Sequence, residues 1–285
     1  MRFLHITKKD QFGSHKEQSE YFANACTATG VEYVRITEGE SDPLLIERLT
    51  EEDIVYRSAA SAWGKRVEKL LLHSDARHIY FNRNTVFTGK GGSYDLFVRD
   101  NIPVIPSISF FPNKKRDTAR YIDTVGGLPL VVKVMGGMEG VGVIRVDSVE
   151  ALNSLGDYIK KDPFAEYRIM KYVPHKYYGR LVVVDEKVVA SMRDTAPLGD
   201  FRTNARGPRD EKGHPFTFSP EIEEIAVRAA QSVGVRFAGV DVLLGDDGNV
   251  YVAEANSPFN FAETQRITGI DVAGSLLRAL IERVA

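Results

Sequence analysis

Apolar and polar positions in the first 85 residues alternate between two patterns. Short apolar runs predict strands at residues 3–6, 32–36, 54–57 and 78–81. Between them, apolar residues at helical spacing predict helices at 15–29 and 63–72, with Ser14 as the N-cap of the first and Gly30 as its end. Because helices separate the strands, this part of the chain is typical of a parallel α/β sheet.

The alternation begins again near residue 90. Helices are predicted at 94–99, 113–125 and 148–160, the last capped by Ser148. Strands are predicted at 129–135, 143–146 and 167–173. A glycine-rich segment, residues 136–142, lies between two of these strands.

The last third of the chain is richer in strands. Residues 180–184 and 187–192 flank Asp185 and Glu186, which predicts a tight hairpin. Strands at 237–244 and 250–256 flank a second turn at 245–248. Helices are predicted at 220–233 and 271–284, and a polar loop occupies 196–215.

Composition narrows the class of protein. The chain has 285 residues, 43% of them hydrophobic and 27% charged, which excludes a disordered chain. The 37 basic and 39 acidic residues nearly balance, so the overall charge favours neither nucleic acid nor an anionic membrane as a partner. We find neither a membrane-length apolar run nor a signal peptide. A single cysteine, Cys26, excludes an intrachain disulfide. We therefore expect a cytoplasmic protein.

The glycine-rich segment offers the first candidate chemistry. Glycines allow backbone N–H groups to turn toward a phosphate, and Lys133 lies three residues before the segment. No Gly-Lys-Ser/Thr follows, so the segment is not a P-loop, and a strand follows where a dinucleotide-binding motif needs a helix. Two interpretations stay open: a loop that covers phosphates, or a flexible hairpin connection.

Polar residues in the last two predicted strands offer a second candidate chemistry, a metal site. Asp241 lies within an apolar strand, while Glu254 and Asn256 are two apart and share a face. If Leu244 pairs with Asn249, Asp241 pairs with Val252, Glu254 lies one diagonal step away, and Gly239 is opposite Glu254. Two carboxylates and an amide oxygen suit Mg²⁺ or Mn²⁺. The alternative is a hydrogen-bonded polar face without a metal.

Four passages in this order resemble the ATP-grasp superfamily, most closely the RimK-like carboxylate–amine ligases. They are residues 129–133 with the glycine-rich segment, 199–204, 238–241 and 254–258, and residues 268–274 resemble the family's closing helix. The resemblance covers residues 88–284. It implies an α/β (α+β) ATP-grasp fold, with an N-terminal Rossmann-like domain at 1–88 and two lobes, 89–175 and 176–285, that clamp ATP.

The resemblance also implies roles for individual residues. Arg180, Arg202 and Lys133 would act on the reacting phosphates, and Asp241, Glu254 and Asn256 would bind magnesium. The nucleotide-binding positions would be Lys90, Lys133, Gly136, Gly137, Gly140, Gly142, Met170, Lys171, Tyr172, Val173, Arg202, Thr203 and Asn204. Separately, Arg57 ends a predicted strand and is a candidate for gripping a substrate carboxylate, with a surface arginine as the alternative.

Several positions depart from the family pattern. Lys171 lies in the hinge, residues 170–173, which the resemblance implies meets the adenine, and it stands where the family usually has glutamate. Tyr178 stands where an acid is expected to meet the ribose, and Asp194 stands where a basic residue is often found. Phe259 and Asn260 replace a common glycine. We expect His175 and His214, which border loops, to face solvent.

The implied activity is amide formation: a carboxylate attacks the γ-phosphate of ATP, and an amine displaces phosphate from the resulting acyl phosphate. The alternatives are a nucleotide-binding module without turnover and a kinase that stops at phosphorylation. The amine could belong to an amino acid, a peptide or a protein tail. Relatives often form dimers or tetramers, so a homo-oligomer is possible.

Overall fold

The computed structural model describes residues 1–9, 13–59, 61–72, 89–112, 114–135, 140–203, 205, 207–211 and 213–282. Several expectations lie outside these residues: the strand at 78–81, the positions of Gly136, Gly137 and Asn204, and the side chain of Lys90.

The N-terminal part folds as an α/β unit. Its elements are β1 (Arg2–Thr7), α1 (Ser14–Thr29), β2 (Glu32–Thr37), β3 (Ile54–Arg57) and α2 (Ala62–Leu72). The strands form a parallel sheet in the order β2-β1-β3, which confirms the predicted arrangement. Helix α1 ends at Gly30, whose φ of 70° suits glycine. The residue before α1 is Gly13, so the expected cap at Ser14 is wrong by one position.

The central lobe contains an antiparallel sheet in the order β4-β7-β5-β6. Its elements are α3 (Gly89–Arg99), β4 (Ser107–Ile108), a 3₁₀ turn (Lys115–Asp117), α4 (Thr118–Thr124), β5 (Leu130–Val134), β6 (Val143–Val146), α5 (Val149–Ile159) and β7 (Tyr167–Lys171). The hydroxyl of Ser148 accepts a hydrogen bond from the N–H of Ala151, which confirms the predicted cap of α5.

The C-terminal lobe is built on a second antiparallel sheet, in the order β10-β9-β8-β11-β12. Its elements are β8 (His175–Val184), β9 (Lys187–Thr195), β10 (His214–Pro215), α6 (Pro220–Ser232), β11 (Phe237–Gly245), β12 (Val250–Asn256), α7 (Ala262–Thr268) and α8 (Val272–Ile281). Sequence patterns did not predict the short strands β4 and β10 or the helix α7.

Aromatic side chains join the N-terminal unit to the C-terminal lobe. The ring of Phe22 lies 5.1 Å from that of Phe261, and the ring of Tyr56 lies 5.8 Å from that of Phe237. These rings belong to one buried cluster that also includes α8. The sheet of the central lobe has a separate core around Phe111. The domain boundaries at 88 and 175 stay a prediction.

Helix α3 packs its apolar side against the C-terminal lobe, while its Asp95 forms an ion pair with Arg168 in the sheet of its own lobe. Its Phe97 is buried in a cluster with residues of α6, β11 and β12. Among the described residues, no helix is both long and apolar enough to cross a membrane.

The N-terminal sheet contains a buried histidine, and this histidine stabilises the sheet when its imidazole is neutral. His5, on the central strand β1, is fully buried; its Nδ1 lies 2.9 Å from the Tyr33 hydroxyl and its Nε2 lies 2.7 Å from the Ser58 hydroxyl. Burial lowers the pKa of His5 to about 3, because an imidazolium there would lose its hydration. Below its ordinary pKa, the unfolded chain therefore binds a proton that the folded chain does not.

We expect this proton to appear as a slope in stability. Since the unfolded state binds more protons, the free energy of unfolding falls as pH falls between about 6 and 4, by roughly 1.4 kcal/mol per pH unit from His5 alone. In the variant His5→Gln, the free energy of unfolding measured by urea titration should lose the part of its pH dependence that comes from His5. The control Tyr33→Phe retains the imidazole and should retain the slope. Identical slopes for wild type and His5→Gln would contradict the account.

Candidate nucleotide and metal site

A cavity lies between the central lobe and the C-terminal lobe. Strand β5 and the hairpin after it form one wall, strands β8, β11 and β12 form the opposite wall, and the segment after β7 crosses between them. Ten of the predicted site residues line it: Lys133, Gly140, Met170, Lys171, Tyr172, Val173, Arg202, Thr203, Asp241 and Glu254. Residues that are far apart in the sequence therefore meet at one place.

Three charged residues form a row across adjacent strands of the C-terminal sheet. Asp241 on β11 pairs with Arg180 on β8 and, on its other side, with Glu254 on β12. Residues directly opposite each other in antiparallel strands point to the same face. The expected shared face of Asp241 and Glu254 is therefore present.

The register that produces this row differs from the expected one. Leu244 pairs with Val250, not with Asn249, and a bulge between Val242 and Asp241 shifts the pairing by one further residue. The two shifts together place Asp241 directly opposite Glu254 instead of diagonally.

Gly239 also has a different role from the expected one. It faces Asn256 across the strands, not Glu254. A Cβ atom at Gly239 would lie 2.8 Å from the ring of Phe259, so the glycine makes room for that ring.

Arg180 and Asp241 form a two-pronged ion pair. The guanidinium donates from Nε and Nη2 to the two carboxylate oxygens over 2.7 and 2.8 Å. Asp241 is only 6% exposed, and burial raises the pKa of its carboxyl, whereas Arg180 opposes that rise. In turn, Asp241 raises the pKa of Arg180. The ion pair with Arg180 therefore favours the ionised form of this buried carboxyl.

Lys133 approaches the same row from the other lobe. Its Nζ lies 3.9 Å from Oε2 of Glu254, and the side chain of Asn256 donates a 2.8 Å hydrogen bond to Oε1 of Glu254. Both contacts join residues that the sequence assigned to one site. Asn256 and Arg180 belong to this group by their contacts, but they do not themselves line the cavity.

The chemistry of this donor set fits magnesium. Two carboxylates and a neighbouring amide oxygen are hard oxygen ligands. In the described part of the chain, no three His, Cys, Asp or Glu side chains gather to hold a metal by themselves. Such a site suits an ion that takes part of its shell from water and substrate phosphates, as Mg²⁺ does.

Arg202 closes the cavity on the side of the glycine-rich hairpin. It donates to the Gly140 carbonyl over 3.3 Å, and Asp200 binds its Nη2 at 2.6 Å. The hydrogen bond from Arg202 lowers the pKa of Asp200. Gly142, with φ 84°, would bring a Cβ to 2.8 Å from the Val134 carbonyl. The sequence did not predict that Arg202 is already paired with an acid.

The segment after β7 contributes both backbone and side chains. The N–H groups of Lys171 and Tyr172 donate to the carbonyls of Pro106 and Pro129. The ring of Tyr172 lies between the guanidinium of Arg145, at 4.6 Å, and the ring of Phe201, at 5.9 Å.

Tyr178 takes part in a second polar pair beside the charged row. Its hydroxyl donates to Asp194 over 3.1 Å, and burial raises its pKa. The tyrosine therefore presents a neutral phenol to the cavity where the family pattern expects an acid.

Other cavity residues were missed by sequence reasoning. His175 was expected to face solvent, but it lines the cavity together with the apolar residues Tyr94, Ile105, Phe201 and Leu243. The position of His175 at the start of β8, two residues beyond the hinge, is the signal that could have identified it.

Arg57 is not brought to this cavity. It ends β3, is 8% exposed, and donates to Glu68 over 2.8 Å and to the Ala59 carbonyl over 2.7 Å. Its guanidinium is therefore engaged within the N-terminal unit, and it is neither a surface arginine nor a wall of the cavity.

Together, the parallel N-terminal sheet and the two antiparallel sheets around the cavity define an ATP-grasp fold. The chain belongs to the family described as the RimK-like ATP-grasp domain, whose model matches residues 88–280, well over half of the chain.

Similar proteins agree with this assignment. A probable alpha-L-glutamate ligase of Picosynechococcus is 33% identical over 62% of this chain and 58% of its own length. A ribosomal protein bS6–L-glutamate ligase of Escherichia coli is 34% identical over 68% of this chain and 63% of its own. The chain thus spans about three fifths of these curated relatives. The solved ATP-grasp ligase PsnB superposes with a TM-score of 0.74 at 18% identity over 99% of both chains, which supports the fold.

We expect the Arg180–Asp241 pair to contribute measurably to stability. Arg180→Met leaves the buried Asp241 unpaired and should lower the free energy of unfolding at pH 7 by about 2–3 kcal/mol. The expected loss is smaller than for a fully buried ion pair, because the arginine side chain is 26% exposed and water screens its charge. The double variant Arg180→Met/Asp241→Asn should recover at least half of the loss. A single variant as stable as wild type in urea unfolding would contradict the pairing.

Proposed function

We propose that the chain is an ATP-dependent ligase that joins a carboxylate to an amine and releases ADP and phosphate. The observation that carries the proposal is the row Arg180–Asp241–Glu254 facing Lys133 across an interlobe cavity, in a chain of the RimK-like family. This arrangement offers cations for phosphate and carboxylates for a divalent metal at one place.

The chain's own residues would act by position and charge. Lys133 and Arg202 bind the phosphates of ATP, and Arg180 neutralises negative charge beside the reacting phosphate. Asp241, Glu254 and Asn256 would hold Mg²⁺, which would supply positive charge to offset the negative charge of the phosphates. A substrate carboxylate oxygen bonds to the γ-phosphorus as the bond to ADP breaks; the amine then bonds to the acyl carbon, loses a proton, and phosphate leaves.

The hairpin between β5 and β6 would exclude water from that intermediate. Gly140 at its end contacts Arg202 from the other lobe, and both residues line the cavity. A covered cavity protects an acyl phosphate from hydrolysis.

The names of the relatives support a narrower substrate class. The curated relatives are glutamate ligases, one of them acting on a ribosomal protein, and PsnB is described with a precursor peptide. We therefore include glutamate and a peptide or protein tail among the substrates. The cytoplasm is the proposed location, and a homo-oligomer remains part of the proposal. The role of Arg57 in binding a substrate carboxylate stays a prediction; its guanidinium donates to Glu68.

The test is a ligation screen with the purified chain, ATP and Mg²⁺. Amino acids and peptides are offered in pairs, ADP release is followed, and products are identified by mass spectrometry. The proposal expects an amide product and ADP in equal amounts. A phosphorylated product without an amide would indicate the kinase, and nucleotide binding without stimulated ADP release would indicate the binding module.

Glu254→Gln should reduce ligation by at least about 100-fold. The substitution replaces one charged ligand of the metal by a neutral amide, and the metal is needed to offset the negative charge of the phosphates. The fold should be retained, as the variant can still accept the hydrogen bond from Asn256; the melting temperature checks this. Glu263→Gln, the same change on the exposed side of α7, is the matched control. Near-normal ligation by Glu254→Gln would remove Glu254 from the site.

Lys133→Met should raise the KM for ATP and slow turnover, because a phosphate-binding cation is replaced by an apolar chain of similar length. Lys133→Arg should restore part of both. Steady-state kinetics with varied ATP measures the two parameters. An unchanged KM and kcat in Lys133→Met would count against a phosphate role.

A further inference from the structure

His175 occupies a place in the cavity that the proposed mechanism does not use. It is the first residue of β8, pairs with Gly245 of β11, and lines the same cavity as Lys133 and Glu254. Its nitrogen atoms differ sharply in their surroundings, and this difference indicates what the side chain can bind.

One nitrogen of His175 is fixed by the hinge. Nδ1 lies 2.8 Å from the carbonyl oxygen of Val173. A carbonyl only accepts, so Nδ1 carries the hydrogen and Nε2 of the neutral ring is an acceptor. Within the described residues, Nε2 is shielded from solvent and has no hydrogen-bond partner. A buried acceptor left unpaired costs about 1–3 kcal/mol, which a donor on a ligand would offset.

Strand β8 places this acceptor at the end of the cavity away from the charged row. Arg180 lies further along the same strand, and the partners of the two residues on β11, Gly245 and Asp241, are four residues apart. Since a strand rises about 3.3 Å per residue, His175 and Arg180 are roughly 13 Å apart. If the phosphates lie beside Arg180 and Lys133, the nucleoside of ATP extends toward the hinge and His175.

An acceptor at this end complements the donor that a neighbouring hinge side chain supplies. The side chain of Lys171 can only donate. The carbonyl of Val173 already accepts from His175, and this bond increases the acceptor strength of Nε2. A nucleoside offers matching donors: the exocyclic amine of adenine and the ribose hydroxyls.

We propose that His175 recognises the nucleoside of ATP, with Nε2 accepting a hydrogen bond from one of these donors. The proposal requires the central lobe, whose sheet has its own core, to shift enough on nucleotide binding to open space beside the buried Nε2. The proposal rests on the proposed function only in taking ATP as the nucleotide; it does not depend on which acid and amine are joined.

Binding of nucleotides with Mg²⁺, measured by calorimetry without any carboxylate or amine, tests the proposal. The ligands are ATP, purine riboside triphosphate, which lacks the exocyclic amine, and 2′-deoxy-ATP and 3′-deoxy-ATP, which each lack one hydroxyl. His175→Asn keeps a donor for the Val173 carbonyl but has no acceptor at the ε position. His175→Gln restores an acceptor there. Lys176→Ala, the exposed neighbour on β8, is the control.

Wild type and Lys176→Ala should bind ATP about 3- to 10-fold more tightly than the analogue that lacks the bonded donor. His175→Asn should lose that preference by weakening ATP and leaving that analogue unchanged, and His175→Gln should regain part of it. If His175→Asn loses the preference for ATP over the purine analogue, the donor to Nε2 is the amine of the base. If it loses the preference for ATP over a deoxy analogue, the donor is a ribose hydroxyl. Either result supports the proposal.

Equal weakening of all four ligands in His175→Asn, or no weakening, would overturn it. Absence of nucleotide binding in wild type would overturn it together with the proposed function. A chain that binds with the expected preference but forms no amide would contradict the ligase alone.

Discussion

Two carboxylates face each other on neighbouring strands, and the site depends on how their charge is balanced. Asp241 is buried, and its proximity to Glu254 makes both charges costly. Arg180 compensates from the third strand of the row, and Lys133 compensates from the opposite lobe. The strand order β8-β11-β12, together with the bulge in the pairing of β11 with β12, therefore places these charges on one face of the sheet.

The same charges connect the lobes. The N-terminal unit and the C-terminal lobe share an aromatic core, whereas the sheet of the central lobe packs around its own. Contacts across the cavity include the ion pair of Lys133 with Glu254 and the bond from Arg202 to Gly140. A bound triphosphate and metal would exchange these internal partners for their own. Arg202 has a further internal partner in Asp200, whose carboxylate lies 2.6 Å from its Nη2.

The sequence predicted most of the elements and ten of the residues that line the cavity. Long periodic segments such as α1 and β11 were found because burial dictates their pattern, whereas β4 and β10, two residues each, carry too little pattern to detect. The shared face of Asp241 and Glu254 was expected, but through a register that is wrong. A bulge has no signature in alternating apolar positions, so only the backbone shows it. The Glu68 partner of Arg57 and the cavity position of His175 were missed for another reason: which partner takes a polar side chain depends on tertiary packing.

Manganese binding measured by electron paramagnetic resonance tests the central claim most directly, because Mn²⁺ replaces Mg²⁺ at oxygen sites. The site supplies two carboxylates and an amide, with phosphates needed to complete the shell. We therefore expect weak Mn²⁺ binding by the chain alone and much tighter binding when a non-hydrolysable ATP analogue is present, with the increase lost in Asp241→Asn. Equal Mn²⁺ affinity with and without the analogue would contradict the account.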